Sequence, residues 1–335
     1  MRVRGRRSRA RVPTQRGPWP GGGAERSASA LPVWAALAVA SVGGISSAVQ
    51  SAANAELGER VGSASFGAVA STLTGSALIV VGLAAMPSMR RGLRALPHAK
   101  LPWWAYLGGI CGALFVTVAT YVVPVVGVAA FTIAQVTGGS FGGLAIDRAG
   151  LAPAGRLPLT GPRVGGALLG VCAVVLAQVD RPIGDLAVDM LALGMLGGAA
   201  VAMQGALNGR VSAATTNAAG TAVNFASATP TVLVAGALLG AFASGWSTRL
   251  PTEWYLYTGG LLSVVIVACL LISVRAVGVL RTGLSVVAGQ LAGALLLDAL
   301  IPGGRHASPA LLAGAALTVA AVAVAGRAAR PRPVS

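Results

Sequence analysis

A chain of 335 residues in which 55% are hydrophobic and only 10% charged, with a mean hydropathy of +0.76, cannot cover a water-facing surface, since a soluble domain carries about 25% charged residues. The formal net charge of +16, with 24 of the 25 basic residues Arg and eight of them (Arg2, Arg4, Arg6, Arg7, Arg9, Arg11, Arg16, Arg26) in the first 30 positions, has the look of a nucleic-acid footprint, but the position of the charges along the chain, ahead of and between apolar segments, argues otherwise.

Residues 1–30, rich in Arg, Pro, Gly and Ser, lack the apolar content to fold and read as a disordered basic tail. The twin Arg6–Arg7 does not mark a cleaved signal, because the apolar segment that follows is too long and leads into further apolar segments. From there the charges cut the chain into uncharged stretches: 33–55, 61–89, 101–146, 190–209, 211–248, 254–274 and 307–326. Each can span a bilayer with about 20 residues, and two are long enough for a pair of spans. Lipid offers no partners to backbone amides, so continuous apolar runs without two-residue alternation must be helices. Spans are expected near 33–54, 63–86, 103–122, 126–146, 163–179, 189–209, 218–243, 254–274, 278–298 and 308–326, with Pro124 and Gly127 dividing the third from the fourth.

Loop charge tests this count. With both tails in the cytoplasm, 21 of the 25 basic residues fall on the inner side, and only Arg60, Arg181, Arg249 and Arg305 fall outside, beside Glu56, Glu59, Asp180, Asp185, Asp189, Glu253 and Asp298. The expectation is an all-α integral membrane protein of about ten helices, in a plasma (inner) membrane, with both termini cytoplasmic.

The chain also repeats itself. Gly43, Gly44, Ala48, Gln50, Ala52 and Asn54 recur at an offset of 154 as Gly197, Gly198, Ala202, Gln204, Ala206 and Asn208, the pattern GGxxxAxQxAxN. Later, Gly138, Gly142, Leu144 and Asp147 recur at an offset of 151 as Gly289, Gly293, Leu295 and Asp298, the pattern GxxxGxLxxD. Two blocks in the same order imply a duplicated unit of five helices. An odd number of helices turns the second copy upside down, an arrangement recurrent in secondary transporters. The expected organisation is a tail over 1–30, repeats over 31–180 and 181–327, and a cytoplasmic tail over 328–335.

The Gln-x3-Asn first helix, the Gly-Gln or Gly-Gly to Asp segment of the fourth and the five-plus-five duplication resemble the drug/metabolite transporter superfamily, in particular its YdcZ-like branch, over about residues 31–327. The second half carries Gly289, Gln290 and Asp298, whereas the first has Gly138 and Gly139 at the aligned positions, with Gln135 one turn away. The resemblance implies an inner-membrane carrier with alternating access.

Gln50 and Asn54 share a helix face, as do Gln204 and Asn208, and these four are the candidate substrate-binding residues. The same amides also suit interhelical ties. Asp147 and Asp298, at helix ends on opposite sides, are candidates for gating or coupling, or ordinary interfacial carboxylates paired with Arg148 and Arg305. Gln290, and Arg281 just inside the ninth helix, complete that weaker set. No carboxylate sits in the middle of a span, so a central acidic proton relay is not expected. Cys111, Cys172 and Cys269 lie in apolar runs, without disulfide or zinc spacing. His98 and His306 stand without a nucleophile or ligand set, and neither a Walker A nor a GxSxG pattern occurs. No metal, cofactor or catalysis is expected, and the partners are the bilayer and a small-molecule substrate. The leading function is a secondary transporter, as an exporter, with a non-transporting assembly or regulatory membrane protein as the alternative.

Overall fold

The computed structural model describes residues 31–151, 156, 158–177, 179, 185–242, 250–300 and 308–327, with the side chains of 185–187, 271, 274–282, 284 and 325–327 left aside. The two proposed tails, Asp180, Arg181, Arg249 and Arg305 lie outside the described residues. The helices are α1 (Val33–Val61), α2 (Ala64–Ala85), α3 (Pro87–Ala95), α4 (Gly108–Val126), α5 (Val128–Ala149), α6 (Gly161–Leu176), α7 (Asp185–Ala214), α8 (Asn217–Leu238), α9 (Gly259–Leu300) and α10 (Pro309–Arg327). Short 3-10 turns, Trp103–Leu107 and Trp254–Tyr257, precede α4 and α9.

Two differences from the expected spans have physical causes. The nine-residue α3 occupies what reads as a loop; Pro87 starts it, and Met89 and Gly92 are its buried positions. The segments expected at 254–274 and 278–298 join into one helical stretch of 42 residues, α9. Extended, it would measure about 63 Å, twice the bilayer core. It instead doubles back. Its first arm lies antiparallel to α1, with Gln50 bonded to Ser263 and Ser273 bonded to the carbonyl of Ala36. Its second arm lies parallel to α1, with Ser41 bonded to the carbonyl of Ser285 and Gly293 against Ile45. Among the described residues, six helices are long and apolar enough to cross a membrane, and Gly161–Leu176, Gly259–Leu270, Ser285–Leu300 and Pro309–Val324 are shorter apolar helices.

Contacts fix the direction of every span. Relative to α1, helix α2 runs back (Gln50 to Ser71), and α8 runs opposite to α2 (Ser76 to Thr229, Ser65 to Leu239). Helix α7 runs opposite to α4 (Gly108 at Asn208, Gly197 at Phe115) and parallel to α5 (Gly138 at Met195, Arg210 at Gly150). Helix α5 opposes the second arm of α9 (Val128 to Asp298, Gln135 to Gln290), α6 opposes α5 (Gly170 at Thr137, Arg163 to Asp147), and α10 opposes α6. The ten spans therefore alternate in chain order, and each helix of the second half is inverted against its counterpart. This is an all-α membrane fold of two inverted five-helix repeats.

The repeats exchange their first helices. Helix α1 lies along both arms of α9, and α7 lies along α4 and α5. The glycines of the repeated motifs are what let the backbones touch. A Cβ on Gly44 would sit 2.1 Å from the carbonyl oxygen of Val286, and one on Gly198 would sit 1.8 Å from that of Gln135, its counterpart 151 positions away. On the facing helices, a Cβ on Gly289 would sit 2.2 Å from the oxygen of Ser41, and one on Gly138 would sit 1.8 Å from that of Met195. Small residues permit such close approach in membranes, where packing rather than water drives helix association. Helix α4 runs through Pro124 to Val126, and the break before α5 is at Gly127, whose φ of 86° is open to glycine and strained for other residues. Phe131, Ile133, Val122, Leu291 and Leu311 form the buried core around this break.

Candidate functional site

The alternating directions put Arg90, Arg91, Arg94, Lys100, Arg148, Arg156, Arg163 and Arg210 at one face, with Asp147 the acidic residue among those described there. The opposite face carries Glu56, Glu59, Asp189, Glu253 and Asp298, with Arg60.

The four candidate amides do not converge on one point; they form two matched clusters. Gln50 and Asn54 are 8% and 3% exposed. Gln50 Nε2 donates to Ser71 Oγ of α2 (3.3 Å) and to Ser263 Oγ of α9 (2.6 Å). In the second cluster, Gln204 Nε2 and Asn208 Nδ2 donate to one oxygen, Asn224 Oδ1 of α8, at 2.9 and 2.8 Å. Gln204 and Asn208 are only partly buried. At 1.5 Å per residue, the glutamines lie about 5 to 7 Å past the middle of their helices and the asparagines about 10 to 13 Å past it. Because α1 and α7 run in opposite directions, the first cluster is displaced toward the arginine-poor face and the second toward the arginine-rich face.

One feature is common to both. Asn54 Oδ1 and Asn208 Oδ1 are buried without a hydrogen-bond partner. Each faces a glycine that starts the third helix of the other repeat, so that a Cβ on Gly259 or on Gly108 would lie 2.3 or 2.2 Å from it. A Cα–H contact of this kind is a weak substitute for an N–H donor. Desolvating an amide oxygen without a partner costs about 1–3 kcal/mol, and here that cost is incurred twice, at equivalent positions.

The weaker candidates have structural partners. Asp147 pairs with Arg163 of α6 and not with its neighbour Arg148, because the side chain at the end of α5 faces the start of α6. Asp298, near the end of α9, is 5% exposed, and its Oδ1 and Oδ2 accept from the amides of Val128 and Ala129 at 3.1 and 3.0 Å. It thus closes the N-terminus of α5, where the first N–H groups lack helical acceptors and favour negative charge. Gln290, 4% exposed, donates through Nε2 to Gln135 Oε1 at 2.8 Å, tying the fourth spans of the repeats together. Arg281 falls within α9, and its side chain lies outside the described residues.

Sequence reading missed the aromatic 3-10 turns. The stretch Trp103, Trp104, Tyr106, Gly108, Gly109 recurs at the 151 offset as Trp254, Tyr255, Tyr257, Gly259, Gly260, so extending the second repeat block backwards would have found them. Among the described residues, no three His, Cys, Asp or Glu side chains gather as a metal set. A groove of about 530 Å³ between α6 and α10, lined by Gly161, Gly165, Leu168, Cys172 and Val324, is apolar and peripheral.

The model of the family described as "Putative inner membrane exporter, YdcZ" matches residues 35–176 and 190–324, one match in each half of the chain. No curated protein matches the chain. A solved structure described only as "Crystal structure of protein" aligns over 87% of this chain and 99% of its own, with a TM-score of 0.55 and 18% identity, a likeness of fold.

Proposed function

The chain belongs to the YdcZ family of the drug/metabolite transporter superfamily, and from that premise we propose that it is a secondary transporter that exports a small molecule across the inner membrane by alternating access. The repeats, near residues 31–180 and 181–327, rock against each other, with both termini cytoplasmic at the arginine-rich face. Gln50, Asn54, Gln204 and Asn208 contact the solute, one pair serving each opening.

The observation that supports this most is the pair of unpartnered oxygens, Asn54 Oδ1 and Asn208 Oδ1, buried at equivalent places in the two halves. Ties between helices would have their oxygens matched by donors; the alternative, a non-transporting assembly or regulatory protein, needs all four amides satisfied. Buried oxygens that lack a donor while the helices are closed suit a solute that brings donors of its own once the repeats part.

The test is reconstitution in proteoliposomes with a broad metabolite and drug panel. Saturable flux is expected, reduced about tenfold by Gln50→Leu or Gln204→Leu, the weight of one or two hydrogen bonds. No saturable flux of any compound, or flux indifferent to both substitutions, contradicts the reading.

A further inference from the structure

At the end of α1, Arg60 donates to Glu253 Oε1 (2.5 Å), to Glu56 Oε1 (2.5 Å) and to the hydroxyl of Tyr255 (3.1 Å). Glu253 and Tyr255 precede α9 and belong to the other repeat. Directly beneath, Leu57, Val61 and Leu256 form a buried apolar cluster. The arrangement is rebuilt at the opposite face. Val211 and Ala105, counterparts of Leu57 and Leu256, are buried together with Val223. Above them the guanidinium of Arg210 lies 5.1 Å from the centre of the Trp104 ring, and Trp104 is the counterpart of Tyr255. Arg210 also donates to the carbonyls of Leu151 and Gly150 at 2.6 and 2.8 Å.

The two arginines are not aligned residues. The position equivalent to Arg210 is Glu56, one turn before Arg60. Each face therefore reaches an arginine over the same aromatic turn, above the same apolar plug, from a different turn of the first helix. Both contacts cross between repeats, and each lies beyond an asparagine whose oxygen lacks a partner: Asn54 before Arg60, Asn208 before Arg210.

We propose that the Arg60–Glu253–Tyr255 and Arg210–Trp104 clasps are the two gates of the carrier, each sealing one mouth and parting before the asparagine behind it can be reached from that face. This rests on the alternating-access reading above. The gates differ in kind: the first is an exposed ion pair, weakened by salt, and the second combines a ring with backbone carbonyls and depends on salt less.

The test uses full-length protein in which Cys111, Cys172 and Cys269 are replaced by Ala, with Asn54→Cys or Asn208→Cys as reporters for a membrane-impermeant maleimide in vesicles of both orientations. Arg60→Ala or Glu253→Ala is expected to raise labelling of the Asn54→Cys reporter about fivefold from the arginine-poor face. Combining Arg60→Glu with Glu253→Arg restores the slow rate, which separates gate loss from misfolding. Trp104→Ala raises labelling of the Asn208→Cys reporter from the opposite face. Unchanged labelling, or a rise from both faces that the charge swap does not reverse, overturns the proposal. Labelling needs no solute, and flux is read separately on protein with both asparagines intact: face-specific opening with no flux of any compound by that protein keeps the gates and removes the transport reading, and saturable flux by it with unchanged labelling does the reverse.

Discussion

Gln290 of the second repeat donates to Gln135 of the first across 2.8 Å, and both side chains are buried at the seam where the fourth spans of the repeats run antiparallel. Replacing only one partner leaves the other amide desolvated and unmatched. Gln290→Leu is expected to lower stability by about 1–2 kcal/mol. The double variant with Gln135→Leu should recover most of that loss, as measured by denaturant unfolding in detergent; an equal or larger loss in the double variant would count against a paired role.

The capping of α5 by Asp298 makes a second expectation. Asp298→Asn keeps the shape but removes the charge and offers an N–H group where an acceptor is needed, so a loss of about 1 kcal/mol is expected. Asp298→Ala should lose at least as much. Unfolding midpoints of the two variants check this, and an unchanged midpoint in both contradicts the cap.

Glycines separate into those the packing demands and those it ignores. Gly198→Ala and Gly138→Ala place a methyl group 1.8 Å from a backbone oxygen, which no side-chain rotation relieves, and should prevent a stable fold. Gly143 and Gly205 have nothing within 4 Å, and alanine there should be neutral or gain up to about 1 kcal/mol of helix propensity. Folded yield by gel filtration separates the two groups.

Much of this fold was legible because its signals are one-dimensional. Charge-free lengths gave eight of the ten apolar segments, loop arginines supported the full count and its alternation, and the constant offsets gave the duplication. The exchange of first helices was not legible: a span apolar on all sides carries no periodic stripe to show which neighbour Gly44 or Gly198 meets. The capping of α5 by Asp298 was not legible for a related reason, since its place near a helix end in sequence does not reveal that another helix begins beside it. The candidate amides were correctly seen as equivalent pairs, but their division into two clusters depends on depth along oppositely directed helices, and their partners Ser71, Ser263 and Asn224 lie outside the repeated motif.

The arginine-poor face should respond to acid. The Glu253 carboxyl is held below its ordinary range by its own backbone amide and, next, by Arg60. A carboxyl lowered on folding contributes stability above its unfolded pKa of about 4 and loses it as pH falls through the folded value. Melting temperature of the wild-type protein should therefore fall more steeply below about pH 4 than that of Glu253→Gln. Parallel curves contradict the pairing.

Alternating access between the halves requires the repeats to cross the bilayer in opposite senses. Single cysteines placed at Gly62, after α1, and at Thr215, after α7, in protein free of native cysteines, measure this directly with an impermeant thiol reagent on intact cells and on inverted vesicles. Position 62 should react from outside and position 215 only in inverted vesicles; reaction of both from one side would contradict the inverted arrangement.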